Sequence, residues 1–216
     1  MNQRNNQRRI HSFKPNTLTS VVVAFGAIWA RIKVMTNLAL LFCSLFLSFI
    51  ATAQDVSFPK QTEKAGKILV LNGTGIRKAT IFGVKVYYGA LYLEKKSSSA
   101  NEILGSTEFK QIRMHFVHDV DSGKIRETFH DGFLANCASN CAELAPSTHE
   151  LESMMGDMKD GDDLQFDFTP EAVHYSFRGK LRGAVARPGY SKVFLGTWLG
   201  AKPPTEDLKK GLLGSP

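Results

Sequence analysis

Arg77 is the residue of this chain whose type and setting best suit chemistry. It follows two glycines in Gly73-Thr74-Gly75, and Tyr87 lies ten residues further along, in an aromatic segment. A guanidinium presents a planar fork of N–H donors that matches a carboxylate or phenolate, and a tyrosine hydroxyl can add another donor. Together the two side chains predict an anion clamp beside an apolar cavity. A solvated arginine in a turn is the alternative.

The glycines before Arg77 do not indicate a nucleotide site. A dinucleotide-binding fingerprint needs a third glycine and a following helix whose N-terminus holds the phosphates, whereas here a strand is predicted to follow. We expect Gly73 and Gly75 to permit a bend or a positive φ. The chain also lacks a G-x-S-x-G motif, a P-loop and an evident pair of catalytic carboxylates.

Cysteine and histidine spacing favours a disulfide over a metal site. Cys137 and Cys141 are too widely spaced for a thioredoxin-type Cys-x-x-Cys, so a structural disulfide that closes a small loop is the first choice. Two free thiols are one alternative, and a zinc site shared with His130 or His149 is another. No carboxylate or third ligand stands at metal-site spacing from the histidines, so we expect no metal and no cofactor.

The first 53 residues predict a leader and not a part of the folded domain. Leu38–Ile50 is an apolar run of 13 residues, and the small-x-small pattern Ala51-Thr52-Ala53 follows it. Because a membrane span needs ~20 apolar residues, we expect a signal peptide over residues 35–53, cleaved after Ala53. Residues 1–34 are then expected to be a basic leader, which a start codon assigned too far upstream would explain. A permanent membrane anchor is the alternative.

The excess of basic over acidic residues in this chain lies mainly in the leader. Six of the 27 Lys and Arg residues and none of the 20 Asp and Glu residues lie in the first 53 positions, so residues 54–216 carry 21 basic and 20 acidic side chains. A nucleic-acid interface needs a basic face on the folded part, and this balance gives none. About 160 residues suit one domain with its own core. We expect that domain, residues 54–216, to be periplasmic or secreted, without a stable membrane anchor.

The predicted elements follow an α+β pattern. Asp121–Ala135 predicts a helix with Ile125, Phe129 and Phe133 on one face, and Ser147-x-x-Glu150 predicts the capped start of another. Lys67–Leu71 predicts a strand, which Asn72 and the glycines should end in a turn that holds Arg77. Further strands are predicted over Val84–Leu93, Gln111–Val117, Leu164–Phe168, Ala172–Phe177 and Lys180–Val185. Further helices are predicted over Ser191–Leu199, over Thr205–Leu213 and, opened by Ser97-Ser98-Ser99, as a short helix to about Leu104. Strands at the front and near the back, with helices between and after them, predict a largely antiparallel sheet with helices against it.

Four segments, in order, resemble the chalcone isomerase-like family in its bacterial exported branch. They are LVLNGTGIRK, KVYYGALYLE, IRMHFVHDVDSGKIRETFHDGF and FLGTWLGAKPPTEDLKKGLLG. The resemblance runs from about Phe58 to Gly214. It implies an open-faced antiparallel β-sheet covered by a helical layer, with a ligand cleft between the two layers.

The resemblance also implies which polar groups are kept. An arginine at the position of Arg77 pairs with the substrate phenolate in the plant enzymes, and Tyr87 takes the place of a threonine. An ungapped match puts Ile125 and Thr128 where those enzymes have a tyrosine and a lysine, and Gly132 where they have an asparagine. Since positioned donors near developing charge supply several kcal/mol of transition-state stabilisation, their loss implies little catalysis. Non-enzymatic members bind fatty acids through an Arg/Tyr pair, which Arg77 and Tyr87 match.

The leading hypothesis is therefore a non-catalytic binder of a fatty acid or other apolar carboxylate. Arg77 and Tyr87 would hold the head group, and the candidate lining residues are Ile125, Thr128, Phe129 and Phe133. The alternative is a chalcone isomerase-type isomerase, an intramolecular lyase, that acts on a phenolic substrate. A structural or interaction domain of the cell envelope is the third class, and side chains that fill the cleft around Arg77 would favour it.

Overall fold

The computed structural model describes residues 56–80 and 82–215, which form seven strands and five helices. The strands are β1 (Gln61–Lys64), β2 (Lys67–Ala79), β3 (Val84–Leu93), β4 (Lys110–Phe116), β5 (Asp163–Phe168), β6 (Ala172–Phe177) and β7 (Lys180–Ala186). The helices are α1 (Ala100–Gly105), α2 (Ser122–Asn136), α3 (Cys141–Ser153), α4 (Tyr190–Leu199) and α5 (Glu206–Leu212). The predicted leader and signal peptide lie outside the described residues. None of the described helices combines the length and hydropathy that crossing a bilayer requires.

The strands form one antiparallel sheet whose order, β1 to β7, is the order of the chain. The sheet curls into a half-barrel, and the helices add the α component, so the predicted α+β class is confirmed. β1 was not predicted, because its polar residues Gln61–Lys64 carry no apolar alternation. It pairs antiparallel with the start of β2.

Buried side chains lie on both faces of the sheet. The main core lies between the sheet and the helices, where aromatic rings from α2, α4 and β5 meet. Phe194, for example, packs edge-on against Trp198 and Phe166, at centroid distances of 5.4 and 5.2 Å. On the opposite face, buried Tyr92 packs in a smaller cluster, and its hydroxyl donates a hydrogen bond to the Pro59 carbonyl at 2.9 Å.

The glycines before Arg77 do not end β2, so the predicted turn at this position was wrong. β2 continues to Ala79, and neither Gly73 nor Gly75 has a positive φ. The glycines instead let α5 lie directly on the strand: a Cβ on Gly75 would stand 2.7 Å from the Leu208 carbonyl oxygen. We call this contact between β2 and α5 the glycine seam. Arg77 is therefore a strand residue, fixed by sheet hydrogen bonds.

Helix α3 begins earlier than the predicted capping box. It starts at Cys141, so Ser147 lies inside the helix and Pro146 is an interior proline. A proline in a helix loses one backbone hydrogen bond. Leu144 and Leu151, which are 4% and 0% exposed, anchor the helix in the core and outweigh that loss. The helix ends at Ser153, before Met154, Met155 and Met158.

Candidate functional site

A cavity of about 280 Å³ opens beside Arg77, between β2 and β3 on one side and helices α2 and α4 on the other. The wall around Arg77 is largely apolar and aromatic. Its main contributors are Val86, Phe116, Ile125, Phe129, Trp198 and Pro204. Such a cavity, with a few polar groups in an apolar wall, has the character of a small-molecule site.

Arg77 and Tyr87 enter this cavity together because they are direct cross-strand partners on β2 and β3. The register then steps to Lys78 opposite Lys85, which leaves Val86 as an extra residue in β3. A bulge of this kind re-aims the side chains next to it. Val86, which strict alternation assigns to the face opposite Tyr87, consequently lines the same cavity.

The Tyr87 hydroxyl is a hydrogen-bond donor whose position is fixed by a contact with Trp198. Its side chain is buried, and the Trp198 Nε1–H donates a hydrogen bond to its oxygen at 3.3 Å. Burial raises the pKa of Tyr87 to about 12, although the Trp198 hydrogen bond and the positive charge of Arg77 both act to lower it. The phenol therefore keeps its proton near neutral pH and can donate a hydrogen bond to an anion.

Arg77 retains donors for a ligand. It is half-buried, and its guanidinium donates one hydrogen bond to the backbone carbonyl of Lys78. Among residues 56–80 and 82–215, no carboxylate forms an ion pair with it. Since a guanidinium has five N–H donors, most of the fork remains for an anion in the cavity.

Two carboxylates at the cavity wall are engaged by other partners. Asp119 accepts a hydrogen bond from the Asp160 backbone N–H at 2.9 Å, which lowers the pKa of Asp119, and Lys159 Nζ lies 2.9 Å away. Asp121 caps α2 by accepting a hydrogen bond from the Lys124 backbone N–H, also at 2.9 Å. Asp119 is thus paired with a cation and Asp121 is engaged at the start of α2, so within the described residues neither carboxylate is paired with Arg77.

Thr197 is a cavity residue that the sequence reasoning missed. It is 2% exposed and lines the cavity, yet its Oγ1 has no hydrogen-bond partner within the described part of the chain. A buried hydroxyl without a partner is costly. Its signal in the sequence was a lone hydroxyl in the otherwise apolar segment Phe194–Leu199. Thr197 also blocks residue 132, because a Cβ on Gly132 would stand 2.5 Å from its Cγ2.

The predicted site residues separate into two groups. Ile125, Thr128 and Phe129 line the cavity with Arg77 and Tyr87. Phe133 does not: it is 0% exposed and packs in the core, 6.2 Å from the ring of Tyr190. It lies one turn beyond Phe129 on α2, so the predicted apolar face of that helix serves the cavity at one end and the core at the other.

Cys137 and Cys141 form a disulfide away from this cavity. Their Cα atoms are 5.8 Å apart, and the bond joins the C-cap of α2 to the first residue of α3. Of the three predicted arrangements for these cysteines, the structure has the disulfide. Its position gives it a role in fixing one helix against the other.

Residues 50–214 match the sequence model of the family described as chalcone isomerase-like. The chain belongs to the chalcone isomerase-like family. A comparison with curated proteins finds no match. Among solved structures, a fatty-acid binding protein of Arabidopsis thaliana is similar, with a TM-score of 0.60 and 13% identity, over 76% of this chain and 94% of that one. At this identity, the likeness shows that the chalcone isomerase-like fold is shared.

Proposed function

We propose that this chalcone isomerase-like domain binds a fatty acid or another apolar carboxylate and does not transform it. The observation that carries the proposal is the convergence of Arg77 and Tyr87 on a largely apolar cavity. A guanidinium suits an anionic head group, and aromatic walls suit an apolar tail. An amphipathic ligand such as a fatty acid has both parts. The fold neighbour named as a fatty-acid binding protein supports the same ligand class.

The head group would be held by three donors from three elements. Arg77 on β2 offers N–H groups to one or both carboxylate oxygens, and charge-assisted hydrogen bonds of this kind are the stronger ones. Tyr87 on β3 adds a phenol that stays protonated, because its pKa is raised to about 12. Thr197 on α4 adds a hydroxyl that has no partner among the described residues. A carboxylate has enough acceptor positions for all three groups.

The tail would lie against the apolar wall formed by Ile125, Phe129 and Trp198. Each square ångström of apolar surface removed from water contributes roughly 25 cal/mol, so this contact adds to the affinity in proportion to the length of tail it covers. The cavity, at about 280 Å³, is close to the lower limit of about 300 Å³ for small-molecule pockets.

Catalysis is the weaker interpretation for reasons that the cavity itself supplies. Ile125 and Thr128, at the positions where the family resemblance implies catalytic donors, do line the cavity, but isoleucine has no polar group and threonine no charge. At position 132, Thr197 occupies the space that a side chain would need. Tyr87 is a poor general base at neutral pH, since its pKa is about 12. Arg77 is left with binding as its main role.

The test compares wild type with Arg77→Gln and with the control Lys78→Gln, the exposed neighbour on the same strand. Ligands are extracted from the purified full-length chain and identified by mass spectrometry, and C8 to C18 fatty acids are titrated back by calorimetry. We expect bound or bindable carboxylic acid in wild type and Lys78→Gln, and about tenfold or greater loss of affinity in Arg77→Gln. Equal ligand content in all three proteins would refute the clamp.

Isomerisation of a chalcone-type phenol is the second candidate. The observation in its favour is that Thr128 and Thr197 line the cavity together with Arg77, so that its wall keeps two hydroxyl-bearing residues. The test is the loss of chalcone absorbance on addition of the protein, above the spontaneous rate. No acceleration at high protein concentration would exclude chalcone as a substrate.

We also infer that the domain acts outside the cytoplasm, after cleavage following Ala53. Support comes from the apolar run Leu38–Ile50 with its small-x-small end, and from the disulfide, since such bonds persist in oxidising compartments. N-terminal sequencing of the protein from a periplasmic or secreted fraction should give Gln54 as the first residue. A full-length chain retained in the cytoplasm would contradict export.

A further inference from the structure

Three side chains with metal-ligating atoms meet where helices α2 and α3 pack together, outside the cavity. His130 comes from α2, and His149 and Glu152 come from α3. His130 Nδ1 lies 3.2 Å from Glu152 Oε1, and His149 Nδ1 lies 3.1 Å from Glu152 Oε2. The two imidazoles stack with centroids 5.1 Å apart. One ligand atom from each of the three residues lies within 4.8 Å of the ligand atoms of the other two.

These distances suit a small divalent ion. Zn–N and Zn–O bonds of about 2.0–2.2 Å place two ligands of a tetrahedral site roughly 3.3 Å apart. The two observed separations, 3.2 Å to Oε1 and 3.1 Å to Oε2, are close to this value, and because they run to different oxygens of Glu152, one ion would use both oxygens or a rotated carboxylate. Two histidines and one glutamate are a recurrent set for zinc sites that keep a fourth position open for water. Imidazole donors also favour Zn²⁺ over Ca²⁺ or Mg²⁺.

We propose that His130, His149 and Glu152 form a binding site for a divalent transition metal, with Zn²⁺ as the best match. Glu152 is 8% exposed, so its carboxylate is held by its surroundings. His149 and Glu152 are three residues apart on α3 and therefore share a face of the helix. His149 is exposed, which leaves the site open to solvent and to an entering ion.

The disulfide supports the site by fixing the two helices that carry its ligands. Cys137 ends α2 and Cys141 begins α3, so the covalent link lies at the turn between the helix that carries His130 and the helix that carries His149. A site divided between two elements is pre-organised only when the elements hold their relative position. Reduction of the disulfide is therefore expected to weaken metal binding as well as the fold.

The competing explanation is that both histidines only satisfy the Glu152 carboxylate, as partners in an ion-pair network. That arrangement would use the same hydrogen bonds and would bind no metal. The two explanations differ in the effect of His149, because an exposed histidine adds little to an ion pair and a great deal to a three-ligand metal site.

The experiment titrates the tag-free full chain with ZnCl₂ in competition with a chromophoric chelator. Wild type is compared with His149→Gln, Glu152→Gln and the control His115→Gln, whose imidazole also bonds a carboxylate, Asp163, at 2.8 Å. We expect one zinc per chain in wild type and in the control, and at least about tenfold weaker binding in the other two. Co²⁺ should give the visible absorption of a four-coordinate site in wild type and in His115→Gln, and not in His149→Gln or Glu152→Gln.

The outcome that overturns the site is equal zinc affinity in wild type and His149→Gln, or no zinc binding in wild type. Because His149 is exposed, His149→Gln is expected to keep the fold, and circular dichroism with a thermal melt checks this. Any loss of binding in that variant then reports a lost ligand. The control His115→Gln separates a specific site from general binding of zinc to surface histidines.

Discussion

The Trp198 indole N–H donates a hydrogen bond to the Tyr87 hydroxyl at 3.3 Å, in the wall of the cavity. A phenol whose oxygen already accepts one hydrogen bond is free to direct its own proton elsewhere. Burial raises the pKa of Tyr87 to about 12 and keeps that proton in place. Tyr87 on β3 is thus a donor beside Arg77, and Trp198 on α4 fixes its orientation.

Replacing Tyr87 by Phe should weaken binding of an apolar carboxylate and leave the fold intact. A net hydrogen bond contributes about 0.5–1.5 kcal/mol, which corresponds to a two- to thirteenfold loss of affinity. Calorimetric titration with the best fatty acid of the series measures this loss. Tyr88→Phe, on the next residue of β3, is the matched control and should bind as wild type does. Equal affinity of Tyr87→Phe and wild type would remove Tyr87 from the head-group site.

The same tyrosine predicts how wild-type affinity depends on pH. Because its pKa is raised to about 12, the donor persists well above the pKa of an ordinary tyrosine, about 10. Affinity should therefore stay level between pH 7 and 10 and fall only above that range. Titrations at half-unit steps provide the curve. A drop with its midpoint near pH 9 would indicate that another group, and not the buried phenol, controls binding.

Thr197→Val should stabilise the ligand-free protein and weaken the liganded one. The valine keeps the shape but removes a buried hydroxyl that has no partner in the described structure, so the free energy of unfolding should rise by about 1 kcal/mol. Thermal melts with and without fatty acid measure both effects. Thr197→Ser, which keeps the hydroxyl, is the control for affinity. A destabilised Thr197→Val protein would show that the hydroxyl already has a partner.

Gly75→Ala should destabilise the glycine seam without touching the cavity. The new Cβ would lie 2.7 Å from the Leu208 carbonyl oxygen, and relief requires α5 to move off β2. Overpacking of this kind costs about 1–3 kcal/mol, measured by urea unfolding. Gly156→Ala is the control, since its Cβ would meet nothing within 4 Å. An unfolding midpoint equal to that of Gly156→Ala would show that α5 accommodates the added Cβ without loss of stability.

The Asp162–Arg178 pair should set part of the stability in acid. Arg178 Nε and Nη2 lie 2.5 and 3.0 Å from the two Asp162 oxygens, and these hydrogen bonds lower the pKa of Asp162. A lowered folded-state pKa contributes stability above the unfolded value of about 3.9 and loses it as pH falls through the folded value. Asp162→Asn should thus be less stable than wild type at pH 7 and approach it below pH 3. A constant difference across this range would contradict the prediction, and Asp160→Asn, on an exposed neighbour, is the control.

Local signals were enough for the elements with strong patterns. Val84–Leu93 was predicted with its observed bounds because β-branched and aromatic residues fill it. Helix α2 was predicted within one residue at each end because Ile125, Phe129 and Phe133 recur every four residues. The association of Arg77 with Tyr87 also followed from the sequence, although through a predicted turn that is in fact a strand. Their pairing survives this error because two adjacent antiparallel strands place the two residues opposite each other.

The remaining features depend on contacts between distant segments. Nothing near Gly75 shows that Leu208 will lie against it, and nothing near Cys141 shows that the core will hold a helix through Pro146. The bulge that turns Val86 into the cavity depends on the pairing of two strands. His130 and His149 meet Glu152 only because α2 and α3 pack together. In each case the residue types were visible, and the partner was supplied by tertiary structure.

The glycine seam also bears on how the chain acquires its fold during synthesis. Each strand of the sheet pairs with its neighbour in sequence, so the pairs can form in the order in which they are made. The seam joins segments far apart, as the Asn72 side chain shows by donating to the Leu212 carbonyl at 2.9 Å, across 140 residues. Contacts of such separation form late. The strand that carries Arg77 therefore lacks its cover at Gly73 and Gly75 until α5 has been translated.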